Sequence, residues 1–129
     1  MRIFRRTILH YMRKTTAKPI FNLLSQSSFK KAIKDTDIFV ASHHGLESGF
    51  CNDLFDYFHP KLIIISNGRF ADNNCLMRYK EIASGLDIHL RNGGIAEKKC
   101  LTPKSDGNIE IAIGWSVQGR KNFLSVTAD

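Results

Sequence analysis

At 129 residues, with 43% hydrophobic and 24% charged side chains, the chain has the composition of one small globular domain and no more. Its net charge of +7 sits in the first 35 residues, where nine Lys/Arg face only Asp35; the remainder is near neutral, which excludes a uniformly basic protein. No apolar run nears the ~20 residues that span a bilayer, no secretory-type apolar stretch opens the chain, and three widely spaced cysteines (Cys51, Cys75, Cys100) argue against a disulfide framework.

In chain order, residues 1–20 form a basic leader, disordered or weakly helical, with Phe4, Ile8 and Tyr11 or Met12 able to share one face. Lys18-Pro19 ends any such helix. A short helix is expected over Ser28 to Lys34, capped by Ser27 or Ser28. Asp37 to Ala41 reads as a buried strand rich in β-branched and aromatic residues, running into Ser42-His43-His44-Gly45. Asn52-Asp53 can start a helix through Leu54, Phe55 and Phe58, closed by Pro60. Leu62 to Ser66 is an apolar strand covered on both faces, and Asn67-Gly68 turns the chain. A helix over Leu76 to Ala83 stops at Gly85.

Beyond Gly85 the reading is Asp87–Leu90 as a strand, Asn92-Gly93-Gly94 as a turn and Lys98–Thr102 as a strand. Ser105-Asp106-Gly107-Asn108 reads as a hairpin turn leading into an alternating strand from Ile109 to Ile113. Residues 116–129 are expected to be a loose tail. The order of elements is that of an α/β layer, in which loops at strand ends carry the chemistry.

Ser42-His43-His44-Gly45 is such a loop. Histidine is the commonest metal ligand and acid/base near neutral pH. Neighbouring side chains in extended backbone point to opposite faces, so both imidazoles reach one site only if the loop bends. On its own a His-His pair is more often a surface or capping feature, since zinc wants three or four converging ligands. Only Glu47 and Cys51 are nearby, neither at a diagnostic spacing. His10, His59 and His89 are isolated; His59 reads as a helix-terminus residue and His89 as a solvated strand residue.

Read as a block, Asp37-Ile-Phe-Val-Ala-Ser-His-His-Gly45, Glu47-Ser-Gly-Phe-Cys51, Phe55-Asp56 and Pro60-Lys-Leu-Ile-Ile-Ile-Ser66 resemble the second half of metallo-β-lactamase-fold hydrolases. The nearest likeness is to free-standing relatives of the hydrolase domain in ComEC-type competence proteins. Leu101 to Ile109 is similar to that group's terminal hairpin, and the likeness covers about residues 21–114. The resemblance implies an α/β fold: the C-terminal half of an αββα sandwich, over residues 21–115, with a mixed sheet, helices on one face and a terminal β-hairpin. It also implies a two-metal, usually zinc, centre whose metals generate a hydroxide nucleophile. His43, at the strand end, would be a metal ligand, with His44 as the substitute. Ser42 and Gly45 would shape the loop, and Glu47, Ser48 and Asn67 the pocket rim. Relatives cut phosphodiesters, lactams, thioesters and lactones, which leaves the substrate open.

The chain departs from that family in its ligands. The H-x-H-x-D-H set is absent, and the position expected for the bridging carboxylate, near Lys14 to Ala17, reads Lys-Thr-Thr-Ala. One imidazole cannot hold zinc tightly enough to bring a bound water's pKa toward ~7. The head reads equally as a foreign start or as a divergent extension. The expectation is a hydrolase module inactive by itself, cytoplasmic, whose sheet would have a bare inner face to be met by a complementary N-terminal half or by self-association. A different class of reading is a non-catalytic α/β interaction domain. The basic head is a solvated leader, a nucleic-acid contact or a membrane-surface or targeting helix.

Overall fold

The computed structural model describes residues 7–10 (backbone), 22–66 and 75–129. Two four-stranded sheets form their framework. The first is entirely parallel, in the order β1 (Thr7–His10), β2 (Thr36–Val40), β3 (Leu62–Ile64), β6 (Cys100–Leu101). The second is mixed, in the order β5 (Ile95–Lys98), β4 (Leu86–Leu90), β8 (Lys121–Ala128), β7 (Glu110–Ser116). Within it β4 runs parallel to β8, while β5 and β7 lie antiparallel at the edges.

The apolar run of β3 is covered on both faces, and register shows how. Phe39, Ile63 and Cys100 lie side by side, as do Ile38 with Leu62 and Ile64 with Leu101. Side chains alternate along a strand, so these rows point opposite ways. The Phe39 row enters a core made with α1 (Ser27–Ile33), the turns after β2 and α2 (Leu76–Ile82), where Phe39, Phe50, Phe55, Phe58 and Tyr79 form a ring cluster. Phe39 meets Phe55 edge-on at 5.4 Å and Phe58 at 5.9 Å between centroids. The Ile38 row enters a second core, made with Ile88, Val126 and Ala128 of the mixed sheet and flanked by Leu86, Leu90, Ile109, Ile111 and Leu124. The mixed sheet, the parallel sheet and a layer of α1, α2 and the turns after β2 are thus stacked as three layers. The chain is an α/β protein.

The structure corrects several expectations. The bare inner face does not exist: Ile38, Leu62 and Leu101 are each 0% exposed, covered by a second sheet from the same chain. The reason lies in the segment after Gly85, which builds its own sheet instead of extending the first. Its path changes sheet at Lys99, since Ile95–Lys98 pairs with β4 whereas Cys100–Leu101 pairs with β3. The expected tail holds β8, a central strand, because Leu124, Val126 and Ala128 alternate with Phe123, Ser125 and Thr127. Ser105 to Asn108 is not a hairpin turn, since the strands before and after it, β6 and β7, lie in different sheets. Thr102 caps a four-residue helix, α3 (Pro103–Asp106), its Oγ1 accepting from the Ser105 N–H at 3.2 Å with Pro103 leading. Asp106 in return accepts from the Thr102 N–H at 2.9 Å. The terminal hairpin is β7–β8. The helix expected over Asn52 to Phe58 is a 3-10 turn over Asn52–Asp56, and Gln26, not a serine, occupies the N-cap of α1. Thr7–His10, expected as leader, forms β1; the rest of residues 1–21 lies outside the described residues.

Candidate functional site

Four parallel strands end along one rim, and the Ser42–Gly45 turn leaves β2 there. The Ala41 N–H still donates to the Ile64 carbonyl at 2.8 Å, so the turn begins where strand pairing stops. His43 (φ 48°, ψ 44°), His44 (φ 56°, ψ 26°) and Gly45 (φ 72°) follow one another in left-handed backbone. For a residue with a Cβ that conformation costs about 1–2 kcal/mol, and such outliers cluster at functional sites. Glycine removes the penalty at the third position only.

The bend sends the two imidazoles to different partners. Nδ1 of His44 lies 2.6 Å from the carbonyl oxygen of Ser66, at the end of β3. A carbonyl only accepts, so His44 Nδ1 carries the hydrogen and donates it, which leaves the lone pair of the neutral ring on Nε2. Nδ1 of His43 lies 2.6 Å from Ser48 Oγ, a partner able to donate or accept. His44 is thereby tied to the neighbouring strand, and His43 to the next turn of its own loop. Both rings are half-buried.

That next turn, Glu47–Gly49, is pressed against the first. A Cβ on Gly49 would sit 2.6 Å from the Ser42 carbonyl oxygen and 2.8 Å from His43 Cβ, a closeness only glycine permits. Glu47 anchors the turn to α2 through a salt bridge to Arg78 Nη1 at 2.6 Å, and Cys75 Sγ donates to its other oxygen at 3.2 Å. Arg78 also stacks on Phe50, 3.7 Å from the ring centroid. The bond from Arg78 holds the Glu47 carboxyl below its ordinary value, whereas burial, aided by Glu47, pushes the Cys75 thiol up to about 11.

Of the residues singled out from sequence, Ser42, His43, His44, Gly45, Glu47 and Ser48 share this double turn. Asn67 lies outside the described residues. Ser42 is fully buried, and its Oγ has no hydrogen-bond partner among the described residues. Glu47 is spent on Arg78 and Cys75. One residue was misplaced: His10, read from sequence as isolated, ends β1 in register with Val40, which puts its backbone on the rim beside the His turn. The signal available was the β-branched pair Thr7-Ile8, outweighed by the surrounding arginines. His59 and His89 are exposed and away from the turn in sequence and register.

A hydrolytic zinc needs three protein ligands and an open position. His44 suits one, with its far nitrogen held by a backbone carbonyl as metal-bound imidazoles usually are. Among the described residues no three His, Cys, Asp or Glu side chains converge to hold a metal ion, so these residues do not make a zinc centre by themselves. Among them, too, no helix is long and apolar enough to cross a membrane. Comparison with protein-family models, with curated proteins and with solved structures finds no match.

Proposed function

We propose that this chain is a module of a metal-dependent hydrolase of metallo-β-lactamase type, working in the cytoplasm, in which His44 supplies one imidazole and the remaining ligands come from beyond the described residues. One observation carries the reading. The His43-His44-Gly45 turn stands at the rim of a parallel sheet in strained backbone, with His44 Nδ1–H committed to the Ser66 carbonyl and Nε2 left as a lone pair. In this role His44 takes precedence over His43, whose Nδ1 faces a hydroxyl that does not fix the tautomer. Strand-end placement agrees with the general location of sites in open α/β sheets. A module with one such imidazole is inactive alone and gains turnover when a partner completes the centre.

The test is a zinc titration of the purified chain, followed by long-range proton–nitrogen NMR of the imidazoles. The expected result is displacement of the His44 Nε2 resonance while Nδ1 stays protonated, lost in His44→Ala and kept in His43→Ala. An unmoved His44 signal at millimolar zinc sinks the proposal. The same experiment serves the second reading, a non-catalytic α/β interaction domain. That reading is favoured by the closed two-sheet core, which the chain's own apolar side chains fill.

A further inference from the structure

Among the described residues β7 is an edge strand with nothing paired to its outer side. Natural edges carry lysines, prolines or bulges that discourage pairing with another chain. Glu110-Ile-Ala-Ile-Gly-Trp-Ser116 has neither lysine nor proline, and all seven residues pair with β8 without a register shift. Ile111, Ile113 and Trp115 share the face that, deeper in the molecule, packs on the parallel sheet. Toward the hairpin end that face runs past its cover: Ile113 is 50% exposed and Trp115 59%. On the opposite face, where Ala112 and Gly114 are exposed, Phe123 lies over Gly114, 3.1 Å from where a Cβ would stand.

We infer that β7 is the contact between two copies of this chain, paired antiparallel about a two-fold axis at Ile113. The inference goes beyond the hydrolase reading and does not depend on it. Three features choose a second copy as the occupant. First, the register that pairs all seven residues sets Ile113 against its own mate and each Trp115 against the other copy's Ile111, an aromatic–β-branched pairing that stabilises sheets. Second, the same register puts Glu110 opposite Ser116, which is itself in register with Lys121 on β8. Glu110 and the other copy's Lys121 then stand two strand spacings apart, about 9.5 Å, a gap their long side chains close over the small serine once Glu110, which in the single chain lies 3.7 Å from Arg91 Nη2 and is 68% exposed, turns to the outer edge. The two-fold makes this acid–base contact twice. Third, the pairing is isologous, so it closes at two copies and leaves no β7 edge to propagate. The product is an eight-stranded continuous sheet.

Sedimentation velocity of the full chain tests this. Wild type should pass from monomer to dimer as concentration rises to about 100 µM, and Ile113→Lys or Trp115→Glu should weaken the dimer at least about tenfold with an unchanged far-UV circular dichroism spectrum. As a positive reading that does not rely on a loss, Ile113→Cys should give a disulfide-linked dimer on mild oxidation. Ser125→Cys, on β8, should not. A wild-type chain that stays monomeric, or a dimer indifferent to both charged variants and not trapped by Ile113→Cys, overturns the inference. So does a monomer that uses β7 to take up a different polypeptide.

Discussion

Replacing Gly49 with alanine would test whether the double turn is set by packing of one turn on the other. The added Cβ would lie 2.6 Å from the Ser42 carbonyl oxygen, whereas carbon–oxygen contacts rest at about 3.3–3.6 Å. The Ser42 carbonyl and the His43 stem must therefore retreat by about 0.7–1.0 Å, against a backbone already held by the Ala41–Ile64 and His44–Ser66 bonds. Overpacking of this kind costs about 1–3 kcal/mol. For a chain of this size each kcal/mol is worth about 3–6 °C, so the melting temperature should fall by about 3–18 °C. Differential scanning calorimetry reads that change, and imidazole NMR reads the accompanying shift of both rings. Ser48→Ala serves as the contrast, because it deletes the hydroxyl bonded to His43 without adding an atom; it should move the His43 resonances and leave His44 alone. A Gly49→Ala protein that melts within about 1 °C of wild type, with both imidazoles unmoved, would refute the packing argument.

Ile38→Ala should cost about 2–5 kcal/mol in urea unfolding, because Ile38 is fully buried between the sheets; a loss below about 1 kcal/mol would mean that the two sheets do not pack as described. The three cysteines are buried, and burial raises the Cys75 and Cys100 thiols to about 11 and about 12. At about pH 8 a thiol reagent should therefore label the native chain no faster than it unfolds, and rapid labelling of any of the three would contradict this. Because Glu47 has a depressed folded-state pKa, its contribution is present above its ordinary value of 4.5 and is lost as pH falls through the lower, folded value. Glu47→Gln should flatten the acid limb of the melting-temperature profile between those two values, and an unchanged limb would show that the Arg78 bridge contributes nothing.

The first half of the fold was legible because its residues state their burial twice. Ile38 to Ala41 and Leu62 to Ile65 are apolar at successive positions, which in a strand means cover on both faces, and both segments proved to hold inner strands of the parallel sheet. The second half was less so. Lys98 to Thr102 looks like one strand, yet the change of sheet at Lys99 leaves no local mark beyond a second lysine before the apolar Cys100-Leu101. Residues 121–128 alternate well enough for a strand, but the preceding Val117-Gln-Gly-Arg120 turn, with Arg120 at φ 49°, lacks the expected Asn-Gly or Asp-Gly signal. In the site, sequence pointed to the His pair and its glycine. It did not show that left-handed backbone at both histidines would part the rings, since His44's partner, Ser66, lies 22 residues on. Nor could it show that Glu47 belongs to Arg78, a pairing that depends on where α2 docks.

The exchange of sheets at Lys99, together with the central position of β8, has a consequence during synthesis. A ribosome that has released residues up to Leu101 has made every strand of the parallel sheet, yet the Ile38–Leu62–Leu101 side of that sheet stays wet until Leu124, Val126 and Ala128 arrive. Because β8 pairs with both β4 and β7, the mixed sheet closes late, through contacts distant in sequence, the class that folds slowly and leaves apolar surface open to aggregation meanwhile. Nascent chains stalled before residue 121 should bind chaperones, and chains stalled with Ala128 clear of the tunnel should let them go.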